Sequence, residues 1–133
     1  MNLIQANKAS RERLEQFLQT NPNVNKHSLF QYGYVVEMRG NIEGCFTLEE
    51  IEEGTYWLKQ LYITQSEAAI LPVLLEAILT MAKQKHAQRV YVHSHQPVVD
   101  ILLEALQFHP QKERVSVNNY DKSNGNWWLY HVS

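Results

Sequence analysis

Two histidines in the second half of the chain are the residues best suited to do chemistry. His93 directly follows the apolar stretch Val90 to Val92, and His95 lies two positions later. An imidazole titrates near neutral pH, so His93 is a candidate general base. Two histidines without a nearby carboxylate or third histidine rarely bind a metal, and we predict no metal site. A purely structural role for both residues is the alternative.

Aromatic residues form a second group with chemical potential. The central segments carry an unusual number of them, namely Tyr32, Tyr34, Tyr56, Trp57 and Tyr62. Such side chains line a substrate cleft or fill a core, and we single out Trp57 as a candidate substrate-binding residue. Trp127 and Trp128 are neighbours on one predicted strand, so their side chains face opposite ways. One of them is therefore covered by a loop or by the partner of a homodimer, or it is an ordinary partly exposed tryptophan.

Two other reactive groups are expected to be structural. Glu49, Glu50, Glu52 and Glu53 cluster beside Gly54, and clustered carboxylates beside a tight turn are typical of a solvated sheet edge. The single cysteine, Cys45, has no catalytic motif around it and apolar strand neighbours, so we predict a core position.

The first half of the chain predicts one helix followed by strands. Ser10 is a candidate N-cap for a helix whose apolar residues recur until Asn21. From Leu29 to Met38 the apolar period becomes two, which predicts a half-buried strand. Turn residues then separate two further strands, Cys45 to Ile51 and Thr55 to Ile63. These three strands are predicted to form an antiparallel meander.

The second half alternates helices with strands. The stripe from Ile70 to Ala82 has helical spacing, Val90 to Val92 is a short strand, and Pro97 begins another helix. Strand, helix and strand in this order predict a parallel pair joined by the helix. The last helix is expected to bury one apolar face, comprising Val98, Ile101, Leu102, Ala105 and Leu106. The segments Val115 to Tyr120 and Trp127 to Val132 flank Asn124 and Gly125 and predict a closing hairpin.

Length and composition limit the class of protein. A chain of 133 residues with 44% hydrophobic residues suits one α/β (α+β) domain over residues 1–133, with a mixed sheet. A formal net charge of −2 argues against nucleic acid as a partner. The longest apolar run, Ala68 to Leu75, is too short to span a bilayer, and the N-terminus has no secretory signal pattern. We therefore expect no membrane partner and a cytoplasmic location.

The segment from Leu61 to Pro110 resembles the GNAT superfamily of acyl-CoA-dependent N-acyltransferases. In that family a strand ending in Leu-x-Val leads through a glycine-rich loop into a helix with paired leucines. Leu61, Tyr62 and Ile63 and then Leu74 and Leu75 match this framework. Further matches follow the next strand, at Gln96, Pro97, Leu102, Leu103, Gln107 and Phe108. The resemblance implies the GNAT fold, an antiparallel meander followed by a β-α-β unit, a helix and a β-hairpin.

The resemblance also implies a site and an activity. It predicts acetyl-CoA or another acyl-CoA as the cofactor, held by Leu61, Ile63, Ser66 and Gln96. His93 would be the catalytic residue, because the resemblance places it where two parallel strands separate to admit pantetheine. The acceptor would be a small-molecule or peptide amine that binds beside Trp57.

The polar positions of the family are altered in this chain. The loop Thr64 to Ile70 contains no glycine and no arginine, and Thr64 and Glu67 have the spacing of a capping box. Leu103 occupies the position of the tyrosine that often protonates the leaving thiolate, and it carries no proton to give. Two hypotheses therefore remain: an N-acetyltransferase with an altered loop, or a GNAT-fold interaction module that has lost coenzyme A binding.

Overall fold

The computed structural model describes residues 1–111 and 126–132, which form helices around a mixed sheet. The first half contains β1 (Asn2–Gln5), α1 (Arg11–Thr20), α2 (Lys26–Tyr32), β2 (Gly33–Met38), β3 (Asn41–Glu52) and β4 (Thr55–Ile63). The second half contains α3 (Leu71–Gln84), β5 (Arg89–Ser94), α4 (Pro97–Ala105), β6 (His109–Gln111) and β7 (Asn126–His131). Short 3-10 helices occupy Ala6–Lys8 and Gln65–Ile70. The predicted α/β class is confirmed.

The seven described strands lie in the order β1-β2-β3-β4-β5-β7-β6. β4 and β5 are parallel neighbours, whereas β7 pairs antiparallel with both β5 and β6. The predicted parallel pair is therefore confirmed, with α3 in the connection between its strands. β1 pairs antiparallel with β2 and was not predicted from the sequence.

The chain divides into two compact units, of which the first comprises Met1–Leu48 and Lys59–Leu71. Its hydrophobic core consists of Ala6, Leu14, Phe17, Leu18, Val24, Leu29, Val35, Ile42 and Cys45. The predicted first helix is confirmed as α1, and the Ser10 side chain accepts a hydrogen bond from the Arg13 backbone N–H at 3.5 Å. Burial of one helix face accounts for the apolar spacing of this helix.

The predicted strand from Leu29 to Met38 is wrong in its first four residues. Leu29 to Tyr32 form the end of α2, and the strand begins at Gly33. Asn25 caps this helix, since its side-chain oxygen accepts from the Ser28 backbone N–H at 3.0 Å. A Cβ atom at Gly33 would lie 2.3 Å from the carbonyl oxygen of Leu29, so the turn from helix to strand requires glycine there.

The second unit comprises Glu49–Leu58 and the chain from Pro72 onward. Its long helix, α3, buries the leucine pair and two further residues of the predicted stripe, Leu74, Leu75, Ile78 and Ala82. The 3-10 helix and α3 together form a helical stretch, Gln65–Gln84, that is long and apolar enough to span a membrane by length and composition alone. Burial of Leu74, Leu75, Ile78 and Ala82 shows that one face of α3 is packed inside the protein.

The predicted buried face of α4 is wrong. Val98 and Ile101 are 76% and 69% exposed, and Ala105 is also exposed, whereas Leu103 is fully buried. Two hydrogen bonds accompany this orientation. The Asp100 carboxylate accepts from Trp128 Nε1 at 2.7 Å and from Asn126 Nδ2 at 3.1 Å. These bonds turn the Asp100 side of the helix toward β7 and leave the opposite side in solvent.

The closing hairpin is only partly within the described residues. β7 matches the predicted strand Trp127 to Val132, but Val115 to Tyr120 and the turn at Asn124 and Gly125 lie outside the described part of the chain. Within it, β7 pairs with β6, and His109 lies opposite Leu129.

The bond between α4 and β7 can be tested by substitution. Asp100→Ala leaves the buried Trp128 N–H without its acceptor, so we expect a loss of about 1–3 kcal/mol in the free energy of unfolding. Urea denaturation measures this loss. Glu104→Ala, an exposed acidic residue on the same helix, is the control and is expected to change stability by less than about 0.5 kcal/mol. Equal effects of the two substitutions would show that the Asp100 bonds contribute nothing.

Candidate functional site

The paired part of the two parallel strands ends before the strands themselves do. The register runs from Thr55 opposite Arg89 to Leu58 opposite Val92. β4 continues to Ile63, and β5 continues to Ser94. The strand that contains Leu61 to Ile63 is thus the parallel neighbour of the strand that contains Val90 to Val92, and the paired residues lie in the first half of β4. Separation of the strands beyond this point stays a prediction.

The second half of β4 belongs to the first unit and contains an irregular residue. Gln60 has a φ of 54°, in the left-handed region that non-glycine residues rarely adopt. Its side chain accepts from the Asn25 backbone N–H at 2.6 Å and donates to the Asn25 carbonyl at 3.3 Å. The predicted cofactor-binding residues Leu61 and Ile63 follow directly and are half-buried. The two hydrogen bonds to Asn25 hold the Gln60 side chain at this irregular position.

The predicted capping box at Thr64 and Glu67 is wrong. Thr64 Oγ1 donates to the Glu43 carbonyl at 2.9 Å instead of capping the 3-10 helix. The Glu67 side chain forms an ion pair with Arg39, from the turn between β2 and β3. Ser66 lies in the same 3-10 helix and is exposed. The helix start therefore carries a carboxylate whose charge is balanced by Arg39.

The end of β5 brings both predicted histidines together in the second unit. The rings of His93 and His95 lie edge to face with their centroids 4.3 Å apart. The His93 ring also contacts Trp127 edge to face at 4.9 Å. His93 is half-buried, whereas His95 is exposed. No group of three or more metal-ligating side chains occurs within the described ranges.

Trp57 lies in the same ring cluster. Its ring centroid is 5.9 Å from that of Trp127, and Tyr91 contacts Trp127 edge to face at 6.4 Å. The strand register accounts for this grouping, because Trp57 pairs with Tyr91, and His93 with Trp127. These residues consequently point to one face of the sheet. Trp57 and Trp127 are both buried, and Ile51 packs against them.

Gln96 is placed next to this cluster by a local turn. Ser94 Oγ accepts from the Gln96 backbone N–H at 3.3 Å and donates to the Gln96 carbonyl at 3.2 Å. Gln96 is exposed and immediately precedes Pro97, the first residue of α4. The turn fixes the backbone between the two elements, while the Gln96 side chain faces solvent.

The glutamate cluster beside Gly54 and the single cysteine differ in their exposure. Glu50, Glu52 and Glu53 are exposed as predicted, and Glu50 accepts from the Gly54 backbone N–H at 3.1 Å. Glu49 is half-buried. Cys45 is buried as predicted, and burial raises the pKa of its thiol to about 12. A thiol with that pKa stays protonated at neutral pH, so Cys45 is a poor nucleophile.

Sequence reasoning missed three polar groups of these two units. Arg39 and Asp100 were not considered because their partners, Glu67 and Trp128, are 28 residues away in each case. Trp127 was noticed only as one of two adjacent tryptophans. Its pairing opposite His93 depends on the order of strands in the sheet, which periodicity alone does not reveal.

Comparison with known proteins identifies the fold. No protein-family profile and no curated protein matches the sequence. Solved structures do match, including an acetyltransferase of the GNAT family from Staphylococcus aureus (15% identity, TM-score 0.71, 99% of each chain covered). A Bacillus subtilis acetyltransferase in complex with CoA has 12% identity and a TM-score of 0.74 over 99% of each chain. A Campylobacter jejuni N-acetyltransferase in complex with acetyl coenzyme A has 11% identity and a TM-score of 0.75, again over 99% of each chain.

These similarities extend over whole chains at low sequence identity, so they define the fold of this protein. The strand order and the parallel pair described above agree with it. The chain has the GNAT fold, as the residues of the framework predicted.

Proposed function

We propose that this protein is an acyl-CoA-dependent N-acyltransferase that transfers an acetyl group from acetyl-CoA to an amine. The observation that carries the proposal is the β4–β5 register, which ends at Leu58 and Val92 while both strands continue. An extended amide-containing arm such as pantetheine can exchange backbone-type hydrogen bonds with a strand at the end of such a register. Similar structures with CoA or acetyl-CoA bound support this choice of substrate.

Few side chains take part directly in the proposed reaction. The amine nitrogen attacks the thioester carbonyl carbon, the C–N bond forms, and the C–S bond breaks to release the CoA thiolate. His93 accepts the proton that the amine nitrogen loses. In the first unit, backbone groups at Leu61 and Ile63 are the proposed contacts of the pantetheine arm, and Ser66 is a further candidate. In the second unit, the candidate cofactor contact is Gln96. Placement of the amine against the thioester then supplies most of the rate enhancement.

A second candidate function is supported by the altered polar positions. Leu103 is fully buried on α4 and has no proton for the leaving thiolate. Glu67, whose side chain is 15% exposed, places a carboxylate in the 3-10 helix that precedes α3. The Glu67 carboxylate, paired with Arg39, occupies a helix start that a phosphate group would otherwise use. These features favour a GNAT-fold interaction module that has lost coenzyme A binding.

The net charge and the apolar pattern of the chain bear on its location and partners, whichever of the two functions it has. We propose a cytoplasmic protein without nucleic acid or membrane partners, since its formal net charge is −2 and α3 buries its apolar stripe. A homodimer is the remaining candidate assembly. The exposed apolar side chains Val98 and Ile101 on α4 support an interface there.

Binding of acetyl-CoA separates the two candidate functions. At 100 times its dissociation constant, acetyl-CoA is expected to stabilise the fold by about 2.7 kcal/mol, which thermal unfolding detects. Isothermal titration calorimetry gives the affinity. The control ligand is adenosine 3′,5′-bisphosphate, which lacks the pantetheine arm and is expected to stabilise the fold less. Absence of any shift at millimolar acetyl-CoA would exclude the transferase.

Substitution of His93 tests the catalytic assignment. His93→Gln removes the proton acceptor, and kcat for acetyl transfer is expected to fall by about 10²-fold. CoA release from acetyl-CoA in the presence of an amine panel measures the rate. His86→Gln, an exposed histidine after α3, is the control and is expected to retain the wild-type rate. An unchanged rate in His93→Gln would assign the histidine a structural role.

Substitution of Glu67 tests the charge conflict. Glu67→Gln releases Arg39 and removes one negative charge, so acetyl-CoA affinity is expected to rise by roughly two- to fivefold at low salt. Calorimetry at two salt concentrations measures the change. Glu76→Gln removes an exposed charge from α3 and serves as the control. Weaker binding by Glu67→Gln would show that Glu67 supports the site instead of opposing it.

A further inference from the structure

A buried hydrogen-bond donor lies within the ring cluster of the second unit. Trp127 is 4% exposed, and its Nε1 has no hydrogen-bond partner within residues 1–111 and 126–132. Trp128, the next residue, is also buried but donates to Asp100 at 2.7 Å. Buried indole N–H groups usually have an acceptor, because an unpaired buried donor destabilises the fold. The Trp127 indole N–H therefore lacks an acceptor within these residues.

A row of rings connects this donor to the surface. His95 is exposed and contacts the His93 ring at 4.3 Å, and His93 contacts Trp127 at 4.9 Å. Trp57 also contacts Trp127, with ring centroids 5.9 Å apart. A ligand that displaces the exposed His95 ring would meet the candidate base, His93, first and the Trp127 indole next.

The chemistry of the donor restricts the ligand. An indole N–H donates and cannot accept, so its partner must be an acceptor atom. The amine of an N-acyltransferase substrate does not qualify, because its ammonium form only donates and its neutral lone pair is needed for attack. A carbonyl or carboxylate oxygen near the amine does qualify. The surrounding rings of Trp57 and Tyr91 favour an apolar or aromatic body.

We propose that Trp127 is a substrate-binding residue whose indole N–H donates to a carboxylate or amide oxygen next to the reacting amine. The acceptor class is thereby narrowed to aromatic or apolar amino acids, their amides and related peptides, as opposed to simple amines. This inference rests on the proposed acyl transfer for the identity of the reacting group. The buried Trp127 donor and the ring contacts of His95, His93 and Trp127 do not depend on the proposed acyl transfer.

The test compares three ligands by NMR without any acetyl-CoA. Phenylalaninamide carries an amide oxygen, phenylalanine carries a carboxylate, and 2-phenylethylamine has the same ring and amine but neither oxygen. The three indole N–H resonances of the ¹⁵N-labelled protein are assigned with Trp57→Phe, Trp127→Phe and Trp128→Phe variants. The Trp127 resonance is expected to shift with either oxygen-bearing ligand and not with 2-phenylethylamine. The Trp128 resonance, bonded to Asp100, is the internal control and is expected to stay in place.

Affinities from the same titrations complete the test. The wild-type protein is expected to bind the better oxygen-bearing ligand about tenfold more tightly than 2-phenylethylamine, and Trp127→Phe is expected to remove this preference. The relative effects of phenylalanine and its amide distinguish a carboxylate from an amide partner. Equal binding of all three ligands, or a Trp127 resonance that none of them moves, would overturn the proposal even if Trp127→Phe fails to fold.

Acetyl-CoA alone provides a separate outcome. A shift of the Trp127 resonance with acetyl-CoA and with none of the three amines would assign the indole to the thioester carbonyl and overturn the acceptor role. Failure of acetyl-CoA to bind in calorimetry would remove the proposed transfer reaction. The amine titrations would still report on Trp127 in that case, so the two failures are distinguishable.

Discussion

The parallel pairing of β4 with β5 is the constraint on which the site depends. It joins Thr55–Leu58 to Arg89–Val92, and the connection between the strands contains α3. A parallel pair needs a long connection, and α3 supplies it while burying one apolar face. β7 pairs with the other edge of β5. The end of β5, with His93, is therefore held on a strand that has a neighbour on each side.

The registers of β4 with β5 and of β5 with β7 determine which side chains share a face of the sheet. Trp57 and Tyr91 are opposite each other, and so are His93 and Trp127, so the candidate base lies among aromatic rings. The Asp100 bond to Trp128 holds α4 against the next residue of β7. Trp128 donates to Asp100, whereas Trp127 Nε1 has no acceptor within residues 1–111 and 126–132, so these adjacent indoles differ in their hydrogen bonding.

Locally determined features could be predicted from the sequence, and features determined by distant partners could not. The Ser10 cap of α1, the turn at Gly54 and the start of α4 at Pro97 depend on neighbouring residues, and all three were predicted. Alternating aromatic residues suggested a strand from Leu29, although the Asn25 cap begins a helix there. The exposed face of α4 and the Glu67 ion pair depend on contacts 28 residues away, which periodicity does not report. For the same reason the sequence suggested His93 and Trp57 but not the unpaired Trp127 between them.

The central claim is the proposed one, that this protein binds an acyl-CoA substrate. Backbone ¹⁵N–¹H NMR during an acetyl-CoA titration tests this claim most directly, because each amide reports on its own surroundings. The account predicts that the largest shifts fall at Leu61, Ile63 and His93, the residues beyond the Leu58–Val92 pair, with little change in β1 (Asn2–Gln5). If no resonance shifts at millimolar acetyl-CoA, or if the resonances of these three residues do not shift, the central claim is contradicted.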